Sequence, residues 1–273
     1  MKSSFFLFAI VIFCTTTFAA SVDTVLIYST GMHQEIKCVI IRPDLYKQGK
    51  LRFPVVYLLH GYSDRYDTWV KTVPAIKNYA DQMQMVIACP DGGFNSWYFD
   101  SPVDPACQYD TYISKEVVEY LDTHYRTIPD RSHRAIAGLS MGGHGALYLA
   151  LRHPAIFGAA GSMSGGVDLR PFPTSWDIAQ RIGDLRSHPE NWQKMSVVNM
   201  MGNDPLKPVA FMIECGTDDF FYDVNQKLHE KMLALKIPHD YVIRPGKHNW
   251  AYWGNAVEYQ LLFFKKYFNN RGN

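Results

Sequence analysis

From residue 22 onward, apolar positions fall into short runs that alternate with stretches of helical spacing. Residues 23–28 and 35–42 read as an antiparallel strand pair closed near Gly31. Residues 53–59 form a continuous apolar run, as expected for a strand buried on both faces, and end at His60-Gly61. A helix is expected within 67–80, then a strand over 85–89 that ends at Pro90-Asp91-Gly92. Ile113, Val117, Tyr120 and Leu121 give 112–124 the spacing of an amphipathic helix. A strand of small apolar residues, 133–139, leads into a helix over 143–151. Strands at 157–163, 208–215 and 240–243 follow, with helices over 224–235 and 255–267. Such alternation specifies an α/β fold, a mostly parallel sheet with helices on both faces. Ligands of these sheets bind beyond the carboxyl ends of the strands.

Two stretches interrupt the alternation. Residues 93–109 carry Trp97, Tyr98, Phe99 and two prolines, and residues 165–206 carry Trp176, Trp192 and several more prolines. Long insertions after strand ends serve as lids or pocket walls. The first is expected to line a pocket; for the second, pocket wall and simple cover over apolar surface stay open.

The N-terminus follows a different rule. Lys2 precedes an apolar stretch, 5–13, followed by three threonines and the small residues Ala19 and Ala20. Charge, a short apolar core and a small-residue exit describe a secretory signal peptide. The stretch is too short for a membrane span, and Cys14 lacks the small residues that precede a lipid-modified cysteine. Residues 1–19 are therefore expected to be removed, leaving 20–273 as one domain in the periplasm or outside the cell, with no stable membrane insertion.

Composition narrows the partners. Of 273 residues 47% are hydrophobic, enough for one large core. Lysine plus arginine (27) balance aspartate plus glutamate (26), so no field points to nucleic acid. After the leader, Cys38, Cys89, Cys107 and Cys215 are too few and scattered for a disulfide scaffold. No Cys/His grouping has zinc spacing, so no metal is expected.

Candidate chemistry centres on Gly138-Leu139-Ser140-Met141-Gly142, a Gly-x-Ser-x-Gly between a strand and a helix. A serine on that turn is lifted clear of the sheet, and the glycines remove side chains that would clash across it. The Met141 N–H lies at the helix N-terminus, where the dipole favours a developing anion. Serine needs a base to take its proton. Of ten histidines, His248 lies in the loop after the last strand, at the sheet's carboxyl edge. The acid is expected from the loop after the preceding strand, where Asp218 and Asp219 are adjacent and spacing does not choose between them. This chemistry needs no cofactor.

These motifs together resemble the Putative esterase family of α/β-hydrolases, which includes S-formylglutathione hydrolase, tributyrin-type esterases, bacterial feruloyl esterases and the mycolyltransferases. The likeness runs from about Ile36 to the C-terminus, carried by Tyr57-Leu58-Leu59-His60-Gly61, Pro90-Asp91-Gly92 with Ser96-Trp97-Tyr98, the serine motif, Cys215-Gly216-Thr217-Asp218-Asp219-Phe220 and Gly246-Lys247-His248-Asn249-Trp250. It implies an α/β-hydrolase fold and a Ser140–Asp219–His248 triad, the acid being fourth in the family's G-T-x-D pattern. It also implies backbone oxyanion donors at Met141 and Tyr62. The substrate pocket is expected to include His60, from the loop after the third strand, and Trp97 and Tyr98, from the aromatic insertion. The implied activity is a serine carboxylesterase acting on acetyl- or feruloyl-type esters, on a small or carbohydrate-linked alcohol. An acyltransferase with a sugar acceptor would use the same residues. The run around His248 and the leader weigh against a formylglutathione thioesterase, and the intact triad weighs against a non-catalytic carbohydrate-binding module.

Overall fold

The computed structural model describes residues 20–202 and 208–270; the expected signal peptide lies outside the described residues. Eight strands form one sheet in the order β1-β2-β4-β3-β5-β6-β7-β8. They are β1 (Ser21–Ser29), β2 (Gln34–Arg42), β3 (Val55–Leu59), β4 (Val86–Pro90), β5 (Arg134–Leu139), β6 (Ala159–Met163), β7 (Ala210–Gly216) and β8 (His239–Arg244). β2 pairs antiparallel with both β1 and β4, and every other pairing is parallel, so β2 alone opposes the rest.

The unbroken apolar runs find their reason in two cores. Along β3, Val55, Tyr57 and Leu59 face one core while Val56 and Leu58 face the other. All five are fully buried, and each such side chain contributes about 1.5–3 kcal/mol of transfer free energy. Helices α1 (Thr68–Thr72) and α2 (Ile76–Met83) contribute to one core. The opposite core takes residues beyond α3 (Tyr109–Thr111), from a π-helical turn (Tyr112–Val117) that continues into α4 (Val118–His124). It also takes α5 (Met141–Arg152), α6 (Ile178–Ile182), α7 (Pro189–Met195), α8 (Val197–Met200) and α9 (Tyr222–Ala234). The last helix, α10 (Trp250–Asn269), returns to the first face. No helix among the described residues is long and apolar enough to cross a membrane.

Three departures from the sequence expectation have local causes. The helix expected within 67–80 is two helices, because Pro74 forces Val73 out of helical geometry (φ −123°, ψ 74°). The 112–124 helix begins with a π-helical turn. The last helix starts five residues early, at Trp250, because Asn249 caps it: its side-chain oxygen accepts from Tyr252 N–H at 3.1 Å. Cys38, Cys89, Cys107 and Cys215 are buried free thiols.

Candidate active site

The site is assembled where β5, β7 and β8 end. Ser140, between β5 and α5, adopts φ 54° and ψ −117°, a region that side chains avoid and that persists only when the surroundings impose it. They do so through close packing. A Cβ on Gly138 would lie 2.4 Å from the Gly142 carbonyl carbon, and one on Gly142 would lie 2.5 Å from the His60 carbonyl oxygen. Only glycine allows β5, the turn and the end of β3 to meet there.

β7 and β8 bring the other two groups. Glu214 on β7, fully buried, pairs with Arg244 on β8. Above that pair, the amides of Thr217 and Asp218 donate to the carbonyls of Arg244 and Gly246 at 3.0 and 2.9 Å, clamping one loop to the other. His248 Nε2 then lies 2.9 Å from Ser140 Oγ. Its Nδ1 lies 3.0 and 2.9 Å from the two Asp219 carboxylate oxygens. A carboxylate accepts, so Nδ1 carries the proton and Nε2 offers its lone pair to the serine. Asp219 is 5% exposed and is held by the Phe221 N–H at 2.8 Å, whereas Asp218 is exposed and faces its own loop. Between adjacent aspartates, the structure brings only Asp219 to the histidine.

Met141 is the first residue of α5, where helical geometry leaves amides without intrahelical partners. On the facing loop, the amides of Ser63 and Asp64 are taken by the carbonyls of Phe94 and Gly61. The Tyr62 amide has no hydrogen-bond partner among the described residues. Met141 follows Ser140 directly, and Tyr62 lines the same cavity as Ser140.

A cavity of about 240 Å³ opens over Ser140 and His248, walled by Tyr62, Asp64, Trp176 and Phe220. Trp250 and Trp253 also line it. Trp176 stacks on Phe220 (5.4 Å, 17°), and Phe220 lies 4.1 Å from the His248 ring. Trp176 and Asp177 are both left-handed, with φ 49° and 53°. Three side chains clip them in place. Tyr62 Oη and Asn95 Nδ2 donate to Asp177 at 2.8 and 3.2 Å, and Trp97 Nε1 donates to the Trp176 carbonyl at 3.0 Å. Burial and the Asp177 carboxylate raise the Tyr62 phenol above its ordinary value, so it stays a donor.

The expected pocket residues need correction. His60, Trp97 and Tyr98 are 1%, 1% and 0% exposed and line no part of this cavity. They stand behind it. Tyr98 Oη donates to the His60 carbonyl at 3.0 Å, and Trp97 N–H donates to the Met141 sulfur at 3.3 Å. The insertion 93–109 therefore supports the serine turn from the rear, and the wall comes from the second insertion and from residues beside the acid and base. Their signal was proximity: Phe220 follows Asp219, and Trp250 and Trp253 follow His248. Trp176 and Asp64 had no comparable marker.

A serine on a strained strand-to-helix turn, bonded through histidine to a buried aspartate above a mostly parallel sheet, defines an α/β-hydrolase. The family model described as Putative esterase matches residues 29–264, and the chain belongs to that family. An esterase of Mycobacterium tuberculosis is 32% identical over 134 residues, covering 48% of this chain and 29% of that protein, so the match spans under a third of its length. A diacylglycerol acyltransferase/mycolyltransferase of the same organism is 28% identical over 257 residues, covering 79% of this chain and 75% of its own. Among solved structures, a ferulic acid esterase superposes with a TM-score of 0.80 at 30% identity, covering 92% of this chain and 100% of that one.

Proposed function

We propose that this protein is an exported serine carboxylesterase that hydrolyses short-acyl or aryl esters of the acetyl or feruloyl type. His248 takes the Ser140 proton as Oγ attacks the ester carbonyl, and Asp219 holds the imidazole in the tautomer that can accept it. The Met141 and Tyr62 amides stabilise the tetrahedral oxyanion, each donor being worth about 3 kcal/mol in comparable sites. The alcohol leaves with the proton from His248, and water then releases the acid from Ser140. One observation carries the reading: the 2.9 Å contact between Ser140 Oγ and His248 Nε2, with Asp219 on the other ring nitrogen, at the floor of an aromatic-walled cavity. The flat Trp176–Phe220 wall and the likeness to a ferulic acid esterase favour an aryl acyl group. Export rests on the N-terminal pattern of Lys2 and 5–13.

The test is Ser140→Ala assayed on methyl ferulate and p-nitrophenyl acetate. Hydrolysis should fall by at least about 10⁴-fold with the fold retained; retention of a few per cent of the rate overturns the assignment. The similarity to a mycolyltransferase supports one second reading, in which a sugar hydroxyl replaces water at the acyl-enzyme. Product analysis with a glucose or trehalose acceptor separates the two, acyl sugar marking transfer and free acid marking hydrolysis.

A further inference from the structure

The cavity over Ser140 holds one carboxylate that the proposed reaction does not use. Asp64, on the loop after β3, is half-buried and lines the same cavity as Ser140 and His248. A Cβ built on Gly61 would lie 3.4 Å from Asp64 Oδ2 and 3.6 Å from Ser140 Cβ, so carboxylate and nucleophile flank one glycine. The Asp64 amide donates to the Gly61 carbonyl at 3.3 Å, and burial raises the carboxyl above its ordinary value.

No cation answers this charge among the described residues. Arg65, next in sequence, pairs with Asp67 at 2.9 Å. Both ring nitrogens of His60 are engaged by backbone, Nε2 accepting from Gly92 N–H at 2.7 Å and Nδ1 donating to the Gly61 carbonyl at 2.8 Å. The neighbouring acids are engaged elsewhere: Asp177 accepts from Tyr62 and Asn95, and Asp91 from the amides of Tyr66 and Gly93. His248 is the other titratable group of the cavity whose charge matters, and its Nδ1 is committed to Asp219.

We propose that Asp64 determines specificity as a charge filter. It admits neutral and cationic esters, disfavours esters whose acyl or alcohol part carries a carboxylate, and repels the carboxylate product formed at Ser140. The substrate class is thereby narrowed to esters without a free carboxylate; half-esters of dicarboxylic acids and esters of free uronic acids are rejected. At about 7 Å, in surroundings of intermediate dielectric, like charges change an equilibrium by tenfold or more.

This rests on hydrolysis at Ser140, and the experiment separates the two. Three aryl acetates carry a para carboxamide, carboxylate or trimethylammonium group and are assayed at pH 8 with wild type and Asp64→Asn. Intrinsic reactivity cancels between enzymes, so the readout is the cation-to-anion ratio of kcat/KM. Asp64→Asn should lower that ratio by about tenfold or more; a ratio unchanged within about twofold overturns the filter. If the variant does not fold, the wild-type ratio decides. It should fall several-fold as ionic strength rises from about 10 mM to about 1 M and the Debye length shrinks from about 30 to about 3 Å, and a salt-independent ratio overturns the proposal. Calorimetric binding of benzoate against benzamide needs no turnover. Asp64→Asn should tighten benzoate about tenfold relative to benzamide, and equal changes for both overturn the filter. Loss of the esterase reading would show differently, as neutral ester left intact by wild type or still cleaved by Ser140→Ala.

Discussion

The two aromatic-rich insertions use the same kind of strain for opposite ends. In 93–109, Trp97 and Tyr98 are left-handed (φ 53° and 61°) and turn their rings inward, where both are buried. In 165–202, Trp176 is equally left-handed but presents its ring to the cavity, stacked on Phe220, which is 52% exposed. The rear pair holds loops in position, and the front pair offers surface to a ligand. What separates them is what their polar atoms reach. Tyr98 spends its hydroxyl on the His60 carbonyl and Trp97 its indole on the Trp176 carbonyl, so the rear insertion is the scaffold on which the front wall hangs. The contrast recurs at one-residue spacing in Asp219, turned inward, and Asp218, turned outward.

The sharpest break of this contrast is Asp219→Asn. It should lower ester hydrolysis by about four orders of magnitude with thermal unfolding little changed, since the amide stabilises the wrong imidazole tautomer. Asp218→Asn, one residue away, should cost less than about tenfold; the reverse order would assign the inward role to the wrong residue.

Next in size is Tyr98→Ala, which empties a fully buried site and should cost about 3–5 kcal/mol in denaturant unfolding. A variant that unfolds like wild type, yet loses aryl-ester affinity, would make Tyr98 a wall residue after all.

His144 sharpens the comparison through pH. It lies on α5, edge-on to Trp97 and Phe99, and its Nε2–H donates to the Met195 carbonyl of the second insertion at 2.8 Å. Burial drives its pKa down to about 4. A histidine depressed in the folded state takes up its proton preferentially when unfolded. Its contribution is complete above about pH 6.5 and is lost progressively as pH falls towards 4. Stability should drop by about 3 kcal/mol across that window, and His144→Gln should flatten the slope. An equal slope in the variant would place the pH dependence elsewhere.

The smallest effect belongs to the front wall. Trp176→Ala should shift the kcat/KM preference for feruloyl over acetyl esters by about tenfold, at little cost in stability. A large stability loss with unchanged preference would make the two insertions alike.

Much of the site was legible because its chemistry is local in sequence. Gly138 and Gly142 flank Ser140, and a strand-to-helix turn at that spacing has little freedom to point the hydroxyl elsewhere. His248 followed from its place after the last strand, and the strands themselves from apolar runs whose even and odd residues each fill a core. The local sequence left Asp218 and Asp219 equivalent, and a family pattern had to stand in for the loop geometry that turns one inward. Aromatic composition misplaced Trp97 and Tyr98, because a ring's wall or core role depends on which backbone carbonyl its polar atom reaches across the fold. Asp64 had no signal in the chain. Its meaning comes from the glycine it shares with Ser140 and from the cations that the tertiary structure commits elsewhere. Periodicity and motif spacing therefore determined the sheet, the nucleophile and its base. Only the packing of distant loops decided the acid, the walls and the charge inside the cavity, because those depend on contacts between segments whose relative positions exist only once the sheet has formed.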